Sequence, residues 1–196
     1  MSQSESPDRA TMTPDPNPES RNPILITGVA GLVGSHLAEN LLAQGRTVVG
    51  IDNFNDYYSV EQKRDNVAGF KDHERFTLYE TDIRAANAAG DIFTKHKPAA
   101  VAHLAAMANV RYSIGRAPLY TDVNIVGSVN LLEAAKQHEA GNFVFASTSS
   151  IYGKTDQLPF TEDDPCNLPL SAYPASKKAV ELLGYTYHNL HGMNFT

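Results

Sequence analysis

Ile24-Leu25-Ile26-Thr27-Gly28-Val29-Ala30-Gly31-Leu32-Val33-Gly34 is the stretch that decides how this chain folds. A short apolar run enters a turn whose glycines stand three apart, and apolar residues at helical spacing then continue to Leu42. In such a strand-turn-helix unit, one glycine permits the tight turn and another lets the backbone approach a pyrophosphate. A third lets the helix pack close to the strand, and the helix N-terminus faces the anion. The spacing of Gly28, Gly31 and Gly34 is G-x-x-G-x-x-G, a variant of the commoner G-x-G-x-x-G. Gly45 stops the helix, and residues 47–51 read as a second buried strand that ends at Asp52. A carboxylate there can accept hydrogen bonds from both hydroxyls of an adenosine ribose and would repel a 2'-phosphate, which favours NAD over NADP. The plain alternative is a structural glycine turn joining a strand to a helix.

The alternation continues outward from this unit. Helices are predicted over residues 60–70, 85–95, 119–138 and 171–191, and strands over 76–79, 99–104 and 142–146. Strands apolar throughout and separated by helices mean an α/β fold, a parallel sheet covered on both faces. Residues 1–22 are rich in Ser, Pro, Asp and Glu with almost nothing to bury, and read as a disordered tail before one domain over 23–196.

The bulk numbers exclude several classes. With 196 residues and 42% apolar content the chain can bury one proper core. A formal charge of -6, with no basic run, argues against a nucleic-acid partner. No apolar run approaches a membrane span, and the N-terminus lacks the order of a signal peptide, so the cytoplasm is the default compartment. Cys166 is the only cysteine and reads as a loop bystander. His188 and His191 share a helical face without carboxylate or thiolate companions, so no metal site is expected, and His103 reads as a packed strand residue. Gly153-Lys154-Thr155 imitates the end of a phosphate-binding loop, but Thr148 stands where that loop needs a glycine.

Near the C-terminal end, Tyr173 and Lys177 lie four residues apart, a little over one helical turn, so a hydroxyl and an ammonium can face one pocket. Alone, that spacing is common on helix surfaces. Thr148 alone reads as a turn or capping residue, and Asp82 equally as an N-cap.

Taken in order, these residues resemble the extended short-chain dehydrogenase/reductase superfamily, in its NAD-dependent epimerase/dehydratase branch. The resemblance covers residues 24–196 and rests on the glycine turn, Thr81-Asp82-Ile83, His103-Leu104-Ala105-Ala106 and Asn124-x-x-Gly127. It also takes in Ser147-Thr148-Ser149-Ser150-Ile151-Tyr152-Gly153 and Tyr173-x-x-x-Lys177. It implies a Rossmann-like doubly wound sheet with NAD held by Gly28, Gly31, Leu32, Val33, Gly34, Asp52 and Asn53. Asp82 and Ile83 would contact the adenine, Leu104-Ala105-Ala106 would pass along the cofactor, and Asn124 belongs to the same cofactor set. Tyr173 would be the catalytic base, Lys177 would bind the nicotinamide ribose and keep Tyr173 ionised, and Thr148 would hydrogen-bond the reacting sugar hydroxyl. Making a tyrosine a base near neutrality takes about 4 kcal/mol, which one cation about 4 Å away supplies at an effective dielectric of 20.

The residues after Thr148 discriminate among reactions. Sugar 4,6-dehydratases of this branch carry an Asp-Glu pair there; Ser149 and Ser150 cannot do that acid-base work at neutral pH. Epimerisation by transient oxidation is therefore expected in preference to dehydration. Residues 51–58 and 109–113 resemble the UDP-glucuronate 4-epimerases, and Arg111 could meet an anionic group of a UDP-sugar, with Ser149 beside the sugar; a solvated loop arginine is the alternative. A catalytically idle NAD-binding module and a simple NAD-dependent sugar dehydrogenase are the competing readings.

Two departures from the family pattern carry expectations. Pro174 follows Tyr173 and should push it away from helical dihedrals. The chain ends where a further strand and a substrate-binding lobe would begin. It is therefore expected to bind NAD weakly at best, to turn over no nucleotide sugar, and to leave an unpaired sheet edge. Helices near 119–138 and 171–191 resemble the dimer surface of the family.

Overall fold

The structure is a computed structural model that describes residues 22–196, so the tail expected at 1–22 lies, Asn22 apart, outside the described residues. Six strands form one parallel sheet: β1 (Ile24–Thr27), β2 (Val48–Asp52), β3 (Phe76–Glu80), β4 (Ala100–His103), β5 (Asn142–Phe145) and β6 (Asn194–Phe195). Their spatial order is β3-β2-β1-β4-β5-β6. Between them run α1 (Leu32–Ala43), α2 (Val60–Ala68), α3 (Ala86–His96), α4 (Val110–Ser113), α5 (Ala117–Tyr120), α6 (Gly127–Gln137) and α7 (Ala172–His191). This is the Rossmann-like doubly wound arrangement expected from the alternation.

Continuous apolar strands follow from the two-sided burial. Successive strand side chains point to opposite faces, and neighbouring residues accordingly join different cores. Leu25, Val49, Val101 and Phe143 pack with Phe93, Leu131, Leu132 and Val180 under α3, α6 and α7. Ile26, Val48 and Phe76 pack with Ala38, Leu42, Val67 and Phe70 under α1 and α2. Registration of Thr27 opposite Ile51 and His103 aligns the carboxyl ends of β1, β2 and β4. The chain leaves β1 in one direction towards β2 and returns on its other side as β4. That reversal opens a crevice at the strand ends, the place where such sheets bind ligands.

Three expectations change. The helix expected over 119–138 is a helical run from α5 to α6 broken by a π-helical segment, Thr121–Val126. Pro174 does not hold Tyr173 out of the helix. Helix α7 begins at Ala172, so the proline occupies the first turn, where its missing N–H has no intrahelical partner to lose. The open edge lies one strand further out than expected: β6 pairs with β5 in parallel, with Thr196 donating to Phe143 and accepting from Phe145, and β6 is the last strand in the sheet order. None of the described helices is long and apolar enough to cross a membrane.

Candidate functional site

The glycine turn works by close approach. Gly28 has φ +70, and a Cβ there would lie 2.9 Å from the amide nitrogen of Ala105. Gly28 thus brings the end of β1 against the segment Leu104-Ala105-Ala106 that follows β4. A Cβ on Gly34 would meet the Gly28 carbonyl and lie 2.8 Å from Val29 Cα. This is the tight helix-to-strand packing that the third glycine was expected to allow. Leu32 and Val33, in the first turn of α1, are solvent-exposed and line a shallow groove with Gly28, Gly31, Gly34 and Leu104.

A deeper cavity of about 180 Å³ adjoins this groove. It gathers Gly28, Gly31, Asp52, Asn53, Asp82, Ile83, Leu104, Ala105 and Ala106 from four separate loops. Asp52 is buried; Ala30 N donates to its Oδ2 (3.1 Å) and Phe54 N to its Oδ1 (2.9 Å), which fixes the carboxylate at the tip of β2. Asp82 is not the N-cap of α3, a position held by Ala85. It receives Asn53 Nδ2 (2.7 Å) and three donors of Arg84, whose Nη1 continues to Asp122. The Arg84 hydrogen bonds, foremost, hold the Asp82 carboxyl down to about 2. Two backbone amides on Asp52, the close glycine cradle and an adjoining cleft fit the ribose, pyrophosphate and adenine of a dinucleotide.

Asn124, which the resemblance places in the cofactor set, makes a network of structural hydrogen bonds. It is buried in the π-helical segment, where its Oδ1 accepts from Met107 N (2.7 Å) and its Nδ2 donates to Met107 O (2.9 Å) and Ser176 Oγ (2.9 Å). Ser176 in turn donates to the Tyr173 carbonyl (2.7 Å). Both N–H donors of the Asn124 carboxamide and one lone pair of its oxygen are thus engaged by protein, which makes Asn124 a positioning residue between these segments. It ties the loop after β4 to the first turn of α7. Gly127 completes the motif, since a Cβ there would lie 2.6 Å from Ile83 Cγ1. Asn124→Ala is expected to cost about 2 kcal/mol, because Met107 and Ser176 lose buried partners; urea unfolding measures it.

His103 is a packed strand residue, as expected, and its partners fix its tautomer. Ser128 donates its hydrogen to Asn124 O, so its oxygen accepts from His103 Nε2 (2.8 Å). Nδ1 is then the acceptor for Thr27 Oγ1 (2.7 Å), which itself accepts from Ala105 N (3.2 Å). Burial, with the Lys177 charge, pushes the His103 pKa down to about 3, so the ring is neutral.

Thr148 caps a short 3-10 turn, Ser149–Tyr152, by accepting from Ser150 N (3.2 Å), as its alternative reading foresaw. Accepting leaves its hydroxyl hydrogen to donate elsewhere. Tyr173 is half-buried on α7 and packs edge-on to Tyr120. Lys177, one turn further, is 2% exposed and lies 3.9 Å over the Phe145 ring. Burial lowers its pKa to about 8, which leaves it a cation at neutral pH. Arg111 and Ser149 are exposed, and Arg111 sits in α4, which Asn109 caps at φ 77. Among the described residues no group of three or more His, Cys, Asp or Glu could hold a metal; His188 instead bonds the Met193 carbonyl. Sequence reasoning missed Lys63, Tyr57 and Tyr58, which line the cavity. The aromatic pair Tyr57-Tyr58 soon after Asp52 was a signal for the two tyrosines; Lys63 had none.

Fold and crevice together define a Rossmann-like α/β protein with a glycine turn at the ligand-binding end of its sheet. Residues 25–196 match the family model described as GDP-mannose 4,6 dehydratase, and the chain belongs to this family of NAD-dependent epimerases and dehydratases. It is 45% identical over 172 residues to a UDP-glucuronate 4-epimerase of Thermodesulfobacterium geofontis, covering 88% of this chain and 53% of that protein. It is 42% identical over 173 residues to protein CapI of Staphylococcus aureus, covering 88% and 52%. The crystal structure of a Bacillus cereus UDP-glucuronic acid 4-epimerase, in complex with UDP-glucuronic acid and NAD, aligns with a TM-score of 0.79 at 34% identity, over 88% of this chain and 54% of that one. A dTDP-glucose 4,6-dehydratase of Streptomyces venezuelae with NAD bound aligns with the same TM-score at 31% identity, covering 88% and 53%. The chain thus spans about half the length of the relatives it matches.

Proposed function

We propose that this chain forms the NAD-binding and catalytic-helix portion of a nucleotide-sugar 4-epimerase acting on a UDP-hexuronate. What supports this reading is the residue set itself: Thr148 with a free hydroxyl hydrogen, followed by Ser149 and Ser150 in place of acids, and Tyr173 one helical turn before a buried cationic Lys177. Relatives that are UDP-glucuronate 4-epimerases support the choice of sugar.

In this reading Tyr173 takes the proton of the sugar 4-hydroxyl while Thr148 donates to the same oxygen. Lys177 stabilises the tyrosinate that this needs. Gly28, Gly31, Gly34 and Asp52 would hold NAD, which would supply the reversible hydride acceptor that this oxidation and its reversal need. Without an acid or base at Ser149 and Ser150, the 4-keto sugar is not committed to losing water. Arg111 and Ser149 are the proposed contacts to the anionic part of the substrate. The exposed apolar Val126, Leu182, Tyr185 and Leu190 lie on the helices that would form a homodimer face.

The test joins this chain to the remaining half of the Thermodesulfobacterium relative and follows UDP-glucuronate by NMR. UDP-galacturonate without net NADH is expected, and Tyr173→Phe should lower its rate by about 100-fold or more. Net NADH would instead point to a dehydrogenase, a 4-keto-6-deoxy product to a dehydratase, and NAD binding without turnover to an idle module.

A further inference from the structure

Lys63 is a lysine in the wrong kind of place. It lies in α2, flanked in sequence by Glu61, Gln62, Arg64 and Asp65, yet it is 4% exposed. Its ammonium donates to both the carbonyl (2.9 Å) and the side-chain oxygen (2.8 Å) of Asn55, and it lies 4.6 Å from the Tyr58 ring centroid. An ammonium has three N–H donors; two are placed on Asn55. Lys63 also lines the cavity at the tip of β2, where its Nζ stands 3.9 Å from Asp52 Oδ1. A cation therefore shares the ribose end of the pocket with the carboxylate that was expected to exclude a 2'-phosphate.

We infer that the choice between NAD and NADP in this chain rests on the Asp52–Lys63 pair: Asp52 alone keeps a ribose 2'-phosphate out, and Lys63 is the cation that would hold one. The inference rests on the reading of this cavity as a dinucleotide site. Both oxygens of Asp52 already accept a backbone amide, from Ala30 and Phe54. Removing the carboxylate would leave two N–H groups and one ammonium around the same point, which is an arrangement that recognises phosphate. Burial also keeps the Lys63 pKa low, with Asp52 and Asp56 offsetting only part of it, so a further anion would be welcome there.

The experiment is calorimetric titration of this chain with 5'-ADP and with 2',5'-ADP. Wild type should bind 5'-ADP and discriminate against 2',5'-ADP. Asp52→Ser should tighten 2',5'-ADP by about tenfold or more, the worth of one charge-assisted phosphate contact. Asp52→Ser with Lys63→Met should lose that gain, and Asp52→Ser with Lys63→Arg should keep it. A readout without touching Lys63 is its 15N ammonium resonance in Asp52→Ser, which should move with 2',5'-ADP and not with 5'-ADP. An unmoved resonance, or the same gain with Lys63→Met, overturns the inference while leaving the dinucleotide reading intact. Equal affinity of wild type for the two ligands overturns it as well. Failure of wild type to bind 5'-ADP or NAD removes both readings together.

Discussion

Gly34→Ala is expected to destabilise the chain by about 3 kcal/mol, at the upper end of overpacking costs, and to abolish binding of NAD or 5'-ADP. The added Cβ would collide with the Gly28 carbonyl and approach Val29 Cα to 2.8 Å. Both are backbone atoms of the turn itself, so no side chain can swing aside. Helix α1 must retreat from β1, and the amides of its first turn retreat with it from the place where a pyrophosphate would sit. For a chain of this size the expected fall in Tm is about 6–12 °C. Gly90→Ala is the internal contrast. Gly90 lies inside α3, and a Cβ there would have nothing within 4 Å. That substitution should stabilise by about 0.5–1 kcal/mol, through the lower backbone entropy of the unfolded chain. Thermal unfolding of both variants, with calorimetric titration of 5'-ADP, checks the pair. If Gly34→Ala unfolds like wild type and still binds, the turn is an ordinary connection and its glycines do not build a cradle.

The contrast between these two glycines also marks what a sequence can disclose. Gly34 announced itself because its function is local: the turn, the preceding strand and the following helix are neighbours in the chain. The same holds for Asp52, placed by the strand it ends, and for the spacing of Tyr173 and Lys177. Strand positions were legible because two-sided burial makes them apolar throughout. Site features built from distant contacts were not legible. The structural bonds of Asn124 were not foreseen, because its partners Met107 and Ser176 lie 17 and 52 residues away. The π-helical turn that presents it leaves no mark on an apolar pattern that suits a regular helix equally well.

Lys63 is the sharpest case. Its neighbours in sequence are charged or polar, and nothing in their periodicity marks it as buried. Burial comes from the loop after Asp52, where Asn55 and Tyr58 fold back over its stem and head. Pro174 illustrates the opposite error. The general steric rule was sound, but the helix starts two residues before the proline, in the one turn where proline can be accommodated.

Lys177→Met is expected to stabilise the chain at pH 7 by about 2–3 kcal/mol while removing the cation on which the proposed chemistry depends. Lys177 is buried over Phe145, and its pKa falls from the ordinary 10.5 to about 8 because burial penalises the ammonium, with Glu181 offsetting part. A fall of that size corresponds to about 3 kcal/mol, and methionine fills a similar space with no charge to desolvate. The sign follows from proton linkage. Between about pH 8 and 10.5 the unfolded chain holds the proton that the folded chain has released, so wild-type stability rises with pH across that window. Below pH 8 both states are protonated and the full cost stands; above 10.5 neither is, and the cost is gone. The advantage of Lys177→Met should therefore be flat up to about pH 8, shrink above it and vanish near pH 10.5. Urea unfolding of both proteins at pH 7, 9 and 10.5 measures this directly. A gap that ignores pH would place its origin in packing against Phe145, and a methionine variant less stable than wild type at pH 7 would mean that the ammonium is held by partners that outweigh its burial. The expected result makes Lys177 a residue whose charge costs the fold stability, which is how a group retained for chemistry and not for packing should behave.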